Sequence, residues 1–124
     1  MDVIHTAVWV DNIERTIEFY TEGLELDVNW EVVNDGVQYV YIGGEHGEIQ
    51  CKYDPDADYE TGAAGGFDHI AIGVENTDEA FETLCEREDP PVHTPPITLS
   101  TMNRRIAFVE DPDGYVVELV QQLG

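Results

Sequence analysis

The chain states one pattern twice, and that repetition limits what it can fold into more than any other feature. His5-Thr-Ala-Val-Trp-Val-Asp-Asn-Ile-Glu14 aligns with His69-Ile-Ala-Ile-Gly-Val-Glu-Asn-Thr-Asp78. Each copy is a His at the head of an apolar-alternating run that leads into an acidic helix start. A second echo follows late in each copy: Ile49-Gln50-Cys51 resembles Val117-Glu118-Leu119, a polar side chain between apolar ones. A duplicated unit folds into two similar halves. Pseudo-twofold symmetry between such halves can gather His5, Gln50, His69 and Glu118. Two imidazoles, a carboxylate and an amide oxygen form a donor set for a divalent metal.

Strand and helix signals follow the repeat. Residues 2–10 alternate as a strand. Asp11-Asn-Ile-Glu14 reads as a capping box, and Ile13, Ile17, Tyr20 and Leu24 recur at helical spacing. A helix is expected from Asn12 to Glu22, closing at Gly23. Strands are expected at Leu26–Val33, Val37–Ile42 and Glu48–Tyr53, with Asn34-Asp35-Gly36 and Gly43-Gly44 as turns. The pattern restarts with a strand at Phe67–Val74. A capping box at Asn76-Thr-Asp-Glu79 opens a helix whose apolar stripe is Ala80, Phe81, Leu84 and Cys85. Pro90, Pro91, Pro95 and Pro96 predict a loop or short edge strand, able to cover a pocket. Strands close the chain at Arg105–Glu110 and Tyr115–Gln121, joined by the tight turn Asp111-Pro-Asp-Gly114. Two βαβββ modules result, residues 1–53 and 67–124, with 54–66 as linker. The class is α/β (α+β), with curved mixed sheets enclosing a pocket.

Charge narrows the partners. The chain has 27 acidic residues against five Lys and Arg, for a net charge of -22. That field repels nucleic acid and anionic membranes and leaves a small molecule as the expected ligand. The acidic residues are spread over a chain that is 42% hydrophobic, so a core is available. A solvated acidic shell on an ordinary core is what adaptation to high intracellular salt produces. No signal-like leader and no membrane-spanning run stand out, so a cytoplasmic protein is expected. Cys51 and Cys85 have neither metal nor redox spacing and read as reduced, mostly buried thiols.

Alternation puts His5 on one face with Ala7 and Trp9, and His69 with Ala71 and Gly73. Glu118, inside Val116-Val-Glu-Leu-Val120, is costly to bury without a partner, and a metal would supply one. A single His or Glu on a strand is more often structural than a ligand; matching positions in a repeat favour ligation. Trp9, Tyr39, Tyr41 and Met102 are candidates to line the pocket. His46 and His93 are expected in solvent.

His5-Thr, Phe19-Tyr-Thr-Glu-Gly-Leu24, Phe67-Asp-His-Ile-Ala-Ile72 and Ala107-Phe-Val-Glu-Asp-Pro-Asp-Gly-Tyr-Val-Val-Glu-Leu119 resemble the vicinal oxygen chelate superfamily. The likeness runs nearly the whole chain, and within the superfamily the glyoxalase I (lactoylglutathione lyase) branch fits best. It implies a nickel, cobalt, zinc or manganese ion on His5, Gln50, His69 and Glu118, with Glu118 as the base. The reaction implied is isomerisation of the hemithioacetal of methylglyoxal and a thiol to an S-lactoyl thioester. A homodimer is implied as well. The sequence departs from the branch at three places. Gln50 stands where bacterial members have Glu, Trp9 where Arg is expected, and Asp54 where Asn is expected. Arg104 and Arg105 are the substitutes proposed for the missing cation, with one of them facing the pocket. The same ligands leave other reactions open. An epimerase would use the same four, and His5, His69 and Glu118 alone would suit iron in an extradiol-type dioxygenase. A non-catalytic binding or resistance protein would only sequester its ligand.

Overall fold

The computed structural model describes residues 1, 3–62, 65 and 67–124. The chain divides into two compact units, Met1–Thr61 and Gly62–Gly124. The first contains β1 (His5–Trp9), α1 (Ile13–Glu18), a π-helical turn (Phe19–Gly23), β2 (Asp27–Asn34), β3 (Val37–Gly43) and β4 (Glu48–Tyr53). The second contains β5 (Ile70–Gly73), α2 (Thr77–Glu88), β6 (Val92–Leu99), β7 (Arg104–Glu110) and β8 (Val116–Gln122).

Each unit holds one open four-stranded mixed sheet, ordered β1-β4-β3-β2 in the first and β5-β8-β7-β6 in the second. The first strand runs parallel to the last, and the other neighbours are antiparallel. The repeat persists at the level of register. Ala7 pairs with Gln50 as Ala71 pairs with Glu118. Tyr41 faces Gln50 across β3–β4 as Phe108 faces Glu118 across β7–β8. Even the bonds just past the first strands match: Val10 N–H donates to Lys52 O at 3.0 Å and Val74 N–H to Val120 O at 2.9 Å.

Alternation sorts the two faces. In the first unit Val8, Val10, Val40, Ile42, Ile49 and Cys51 are buried. In the second, Ala107, Val109, Val117, Leu119 and Leu84 are fully enclosed, and α2 packs on β6, β7 and β8. Burying a run of branched aliphatics stabilises each sheet by about 1.5–3 kcal/mol per side chain. The opposite faces carry Gln50, Tyr41, Glu118 and Phe108 together with the buried Ile106 and Val120.

Local chemistry explains the helix and turn boundaries. Asn76 Oδ1 accepts from Glu79 N–H at 3.0 Å, as its capping motif predicts. Gln121 on β8 supplies a further acceptor, 2.9 Å from Thr77 N. In the first unit the cap is Asn12, not Asp11: Asn12 Oδ1 accepts from Arg15 N–H at 3.1 Å. The expected single helix to Glu22 is instead an α-helix to Glu18 followed by the π-turn. Its wider bonding is shown by Leu24 N–H donating to Phe19 O at 3.2 Å, five residues back. Both aromatics at its start, Phe19 and Tyr20, are thereby buried. Asp35 and Gly36 both have positive φ, the mirror-image turn of a two-residue hairpin. Asp111 Oδ1 accepts from Asp113 and Tyr115 N–H, both at 2.9 Å, and so closes the Asp-Pro-Asp-Gly turn.

Most strand ends shift by a residue, and three departures from expectation are larger or bear on the candidate residues. β1 begins at His5, and Asp2, where the strand was expected to start, lies outside the described residues, as do Ala63, Ala64 and Gly66 of the expected linker. β5 begins at Ile70, so His69 sits just ahead of its strand. The proline-rich segment forms the eight-residue edge strand β6, with its pairing irregular between Thr94 and Ile97. Pro95 and Pro96 lack the N–H a regular ladder needs, and an edge with a bulge tolerates them. Bonded to β7, the segment is part of the sheet and not a free cover.

Candidate functional site

The second unit holds the most concentrated chemistry. His69 Nε2 lies 3.0 Å from Glu118 Oε1, and Nδ1 lies 2.6 Å from Asp68 Oδ2. Phe108 sets its ring edge-on to His69, with centroids 5.4 Å apart. The Glu118 side chain is 15% exposed, so it is largely withdrawn from water yet reachable. The 3.0 Å contact is an imidazole–carboxylate pair, and both groups are of the types that would hold a divalent metal. Asp68 meets the usual need of a ligating imidazole, a carboxylate on its other nitrogen that fixes the ring. The Asp68–His69 contact joins sequence neighbours, so Phe67-Asp-His69 carries its signal.

The first unit repeats the plan with milder groups. Gln50 Nε2 donates to Tyr41 Oη at 2.7 Å. With the amide nitrogen engaged, Oε1 is the atom left for a cation. Tyr41 stands edge-on to His5, with centroids 5.8 Å apart, and stacks on Trp30 at 4.0 Å and 9°. His5 itself is exposed. The pair His5–Gln50 beside Tyr41 thus corresponds to His69–Glu118 beside Phe108.

The remaining candidates are placed as follows. Trp9 packs on Tyr59, with centroids 4.7 Å apart, and Lys52 Nζ sits 4.4 Å from the centre of the Trp9 ring. Tyr59 Oη donates to Val10 O at 2.6 Å and ties the following segment to the sheet. Asp54 is engaged there: its Oδ1 accepts from Asp56 N–H at 3.0 Å. Arg105 turns to the helix side and grips Asp78 with two bonds, Nε–Oδ2 at 2.6 Å and Nη2–Oδ1 at 2.9 Å. That hydrogen bonding holds the Asp78 carboxyl below its ordinary range. By alternation, Arg105 is on the face opposite Phe108. Arg104 is exposed on the Phe108 face, at the far end of β7 opposite Gln122. Met102 is exposed in the turn before β7.

His46 stands in solvent. His93, expected in solvent too, is exposed and bonds Glu110 at 2.7 Å. Both cysteines are free thiols; Cys51 is buried and Cys85 partly so. Burial, aided by Asp89, pushes the Cys85 thiol up. Among the described residues no helix is long and apolar enough to cross a membrane.

Comparison with known proteins adds to this geometry. The chain is 34% identical to a lactoylglutathione lyase of Escherichia coli O157:H7, covering 98% of this chain and 93% of that one. It is 35% identical to the lactoylglutathione lyase of Haemophilus influenzae, over 98% and 93% of the two chains. Among solved structures, the trypanothione-dependent glyoxalase I of Leishmania major superposes with a TM-score of 0.82 at 28% identity, over 98% of this chain and 87% of that one. Glyoxalase I of Zea mays shares the fold, with a TM-score of 0.86 at 23% identity, and this chain spans 44% of its length. Residues 3–119 match the model of the glyoxalase/bleomycin resistance protein/dioxygenase superfamily, and the chain belongs to that superfamily.

Proposed function

We propose that the protein is a glyoxalase I-type lyase that isomerises the hemithioacetal of methylglyoxal and a small thiol to an S-lactoyl thioester. The observation that carries this reading is near-full-length identity of about a third with proteins named lactoylglutathione lyase. The geometry of His69 and Glu118 supports it. The Asp68 contact suits ligation by His69, and His5 and Gln50 are proposed as the further donors to a hard or borderline divalent ion. A metal bound there would supply Lewis acidity to the two vicinal oxygens of the substrate.

Glu118 is the base in this reading. Its carboxylate takes the proton from the sulfur-bearing carbon and returns it to the neighbouring carbonyl carbon. The hydroxyl proton of the first carbon passes to the oxygen of the second, so the first ends as the thioester carbonyl and the second as a hydroxyl-bearing carbon, with no net gain or loss of atoms or electrons. The carboxylate is largely buried yet still reachable from solvent, so a bound substrate can meet it. Gln50 has no basic carboxylate, so only the second unit's polar position can move the proton. His5 and His69 are proposed as ligands. Trp9, Met102 and Arg104 are proposed around the substrate, while Arg105 is engaged by Asp78. Nickel, cobalt, zinc and manganese remain the candidate ions, and iron would accompany the dioxygenase alternative. The acidic shell supports work at high salt, and a homodimer in the cytoplasm is proposed from the family likeness alone.

The test is thioester formation in molar KCl. Methylglyoxal is mixed with glutathione, or with γ-glutamylcysteine, and protein reloaded with each metal is added. Metal-dependent turnover is the expected result, and the better thiol is thereby identified. Stoichiometric metal binding without turnover, accompanied by oxygen uptake on catechols with iron, would replace the lyase by a dioxygenase.

A further inference from the structure

The chain has one lysine, and it lies on the polar face of the first sheet. Lys52 pairs in register with Trp9 on β1 and with Tyr39 on β3. Gln50, two residues earlier on the same face, pairs with Ala7 and Tyr41. Strand rise therefore separates the Lys52 and Gln50 backbone positions by about 7 Å. The ammonium is held 4.4 Å from the Trp9 ring centre and 5.6 Å from that of Tyr39. Two aromatic faces keep a flexible, half-buried side chain in one place and leave its N–H donors unspent. Among the described residues no carboxylate stands within ion-pair distance of it, although the chain has 27 acidic residues against five Lys and Arg.

The other four cations are placed differently. Arg15 pairs with Glu18 on α1 at 2.8 Å, and Arg105 with Asp78. Arg87 is in the last turn of α2. Arg104 is exposed at the start of β7, about 13 Å of strand from Phe108. Lys52 alone lies within two strand positions of a proposed ligand. A chain of net charge -22 also needs a local positive point to admit an anionic substrate.

We propose that Lys52, cradled by Trp9 and Tyr39, is the specificity residue that receives the carboxylate of the thiol half of the substrate. The inference rests on the lyase reading and adds the residue that would take the carboxylate of the thiol. As a point charge the ammonium needs no bidentate geometry, so it tolerates different small anionic thiols.

The test uses the full-length, metal-loaded protein in molar KCl, as wild type, Lys52→Met and Lys52→Arg. Methylglyoxal adducts of glutathione and of glutathione diethyl ester, which lacks the free carboxylates, are compared. For the glutathione adduct Lys52→Met should raise KM about tenfold at near-constant kcat, the mark of a lost contact made equally in ground and transition states. Lys52→Arg should recover most of that loss, and the ester adduct should show no such change. Equal rises for both adducts, or no rise, overturn the proposal. Binding of S-methylglutathione, followed by tryptophan fluorescence, separates it from the lyase reading. Wild type that binds this thioether through Lys52 but turns over no adduct keeps the proposal and removes the lyase. Binding that ignores Lys52→Met, or no binding together with no turnover, overturns the proposal.

Discussion

His69 and Glu118 meet at 3.0 Å, Nε2 to Oε1, while the other ring nitrogen of His69 is held by Asp68 at 2.6 Å. The carboxylate–imidazole–carboxylate series sets both the direction of the ring and the position of the proposed base. If Glu118 moves the proton, Glu118→Gln keeps the shape and an oxygen donor but removes the basicity. We expect kcat to fall by about 10²–10⁴-fold with an unchanged circular dichroism spectrum. Turnover within twofold of wild type would remove Glu118 from that role.

Asp68 orients His69 without being a proposed ligand. Asp68→Asn weakens its hold on Nδ1 and should lower metal affinity by roughly 10–100-fold, measured by titration calorimetry with nickel or zinc. An unchanged affinity would mean that the His69–Asp68 contact is a surface pairing only, since the Asp68 side chain is largely exposed.

The Arg105–Asp78 pair ties β7 to the first turn of α2. Hydrogen bonding to Arg105 lowers the Asp78 carboxyl below its ordinary 3.8 in the folded protein. A depressed folded value contributes stability that is present above pH 3.8 and is lost as pH falls through the lower folded value. The melting temperature of Arg105→Met should therefore lie below wild type at pH 6, and the gap should narrow under acid conditions. A gap that stays constant down to the acid limit would assign the effect to packing of the guanidinium stem.

Salt should act on the whole molecule. A net charge of -22 on 124 residues is self-repulsive, and the Debye length falls from about 10 Å at 0.1 M to about 3 Å at 1 M. Melting temperature should climb steeply with KCl over that range. Urea unfolding at fixed pH checks it: a midpoint indifferent to KCl would contradict a halophilic design.

The residues themselves disclose the twofold repeat, because alternation and capping are local. Asn76 with Glu79, Asn34-Asp-Gly36 and Asp111-Pro-Asp-Gly114 adopt the caps and turns their chemistry dictates. The equivalence of Gln50 with Glu118 was legible for the same reason, since each occupies the polar slot of an apolar strand. Only the tertiary structure decided which strands lie side by side, and so which side chains meet. Register places Lys52 across from Trp9 and Phe108 across from Glu118, although nothing in the local sequence pairs those positions. It also turns Arg105 toward Asp78, 27 residues away, leaving its neighbour Arg104 on the other face. The π-turn at Phe19 and the length of β6 are likewise products of packing: burying Phe19 and Tyr20, and finding a partner strand for a proline-rich edge, outweigh the local preferences of those segments.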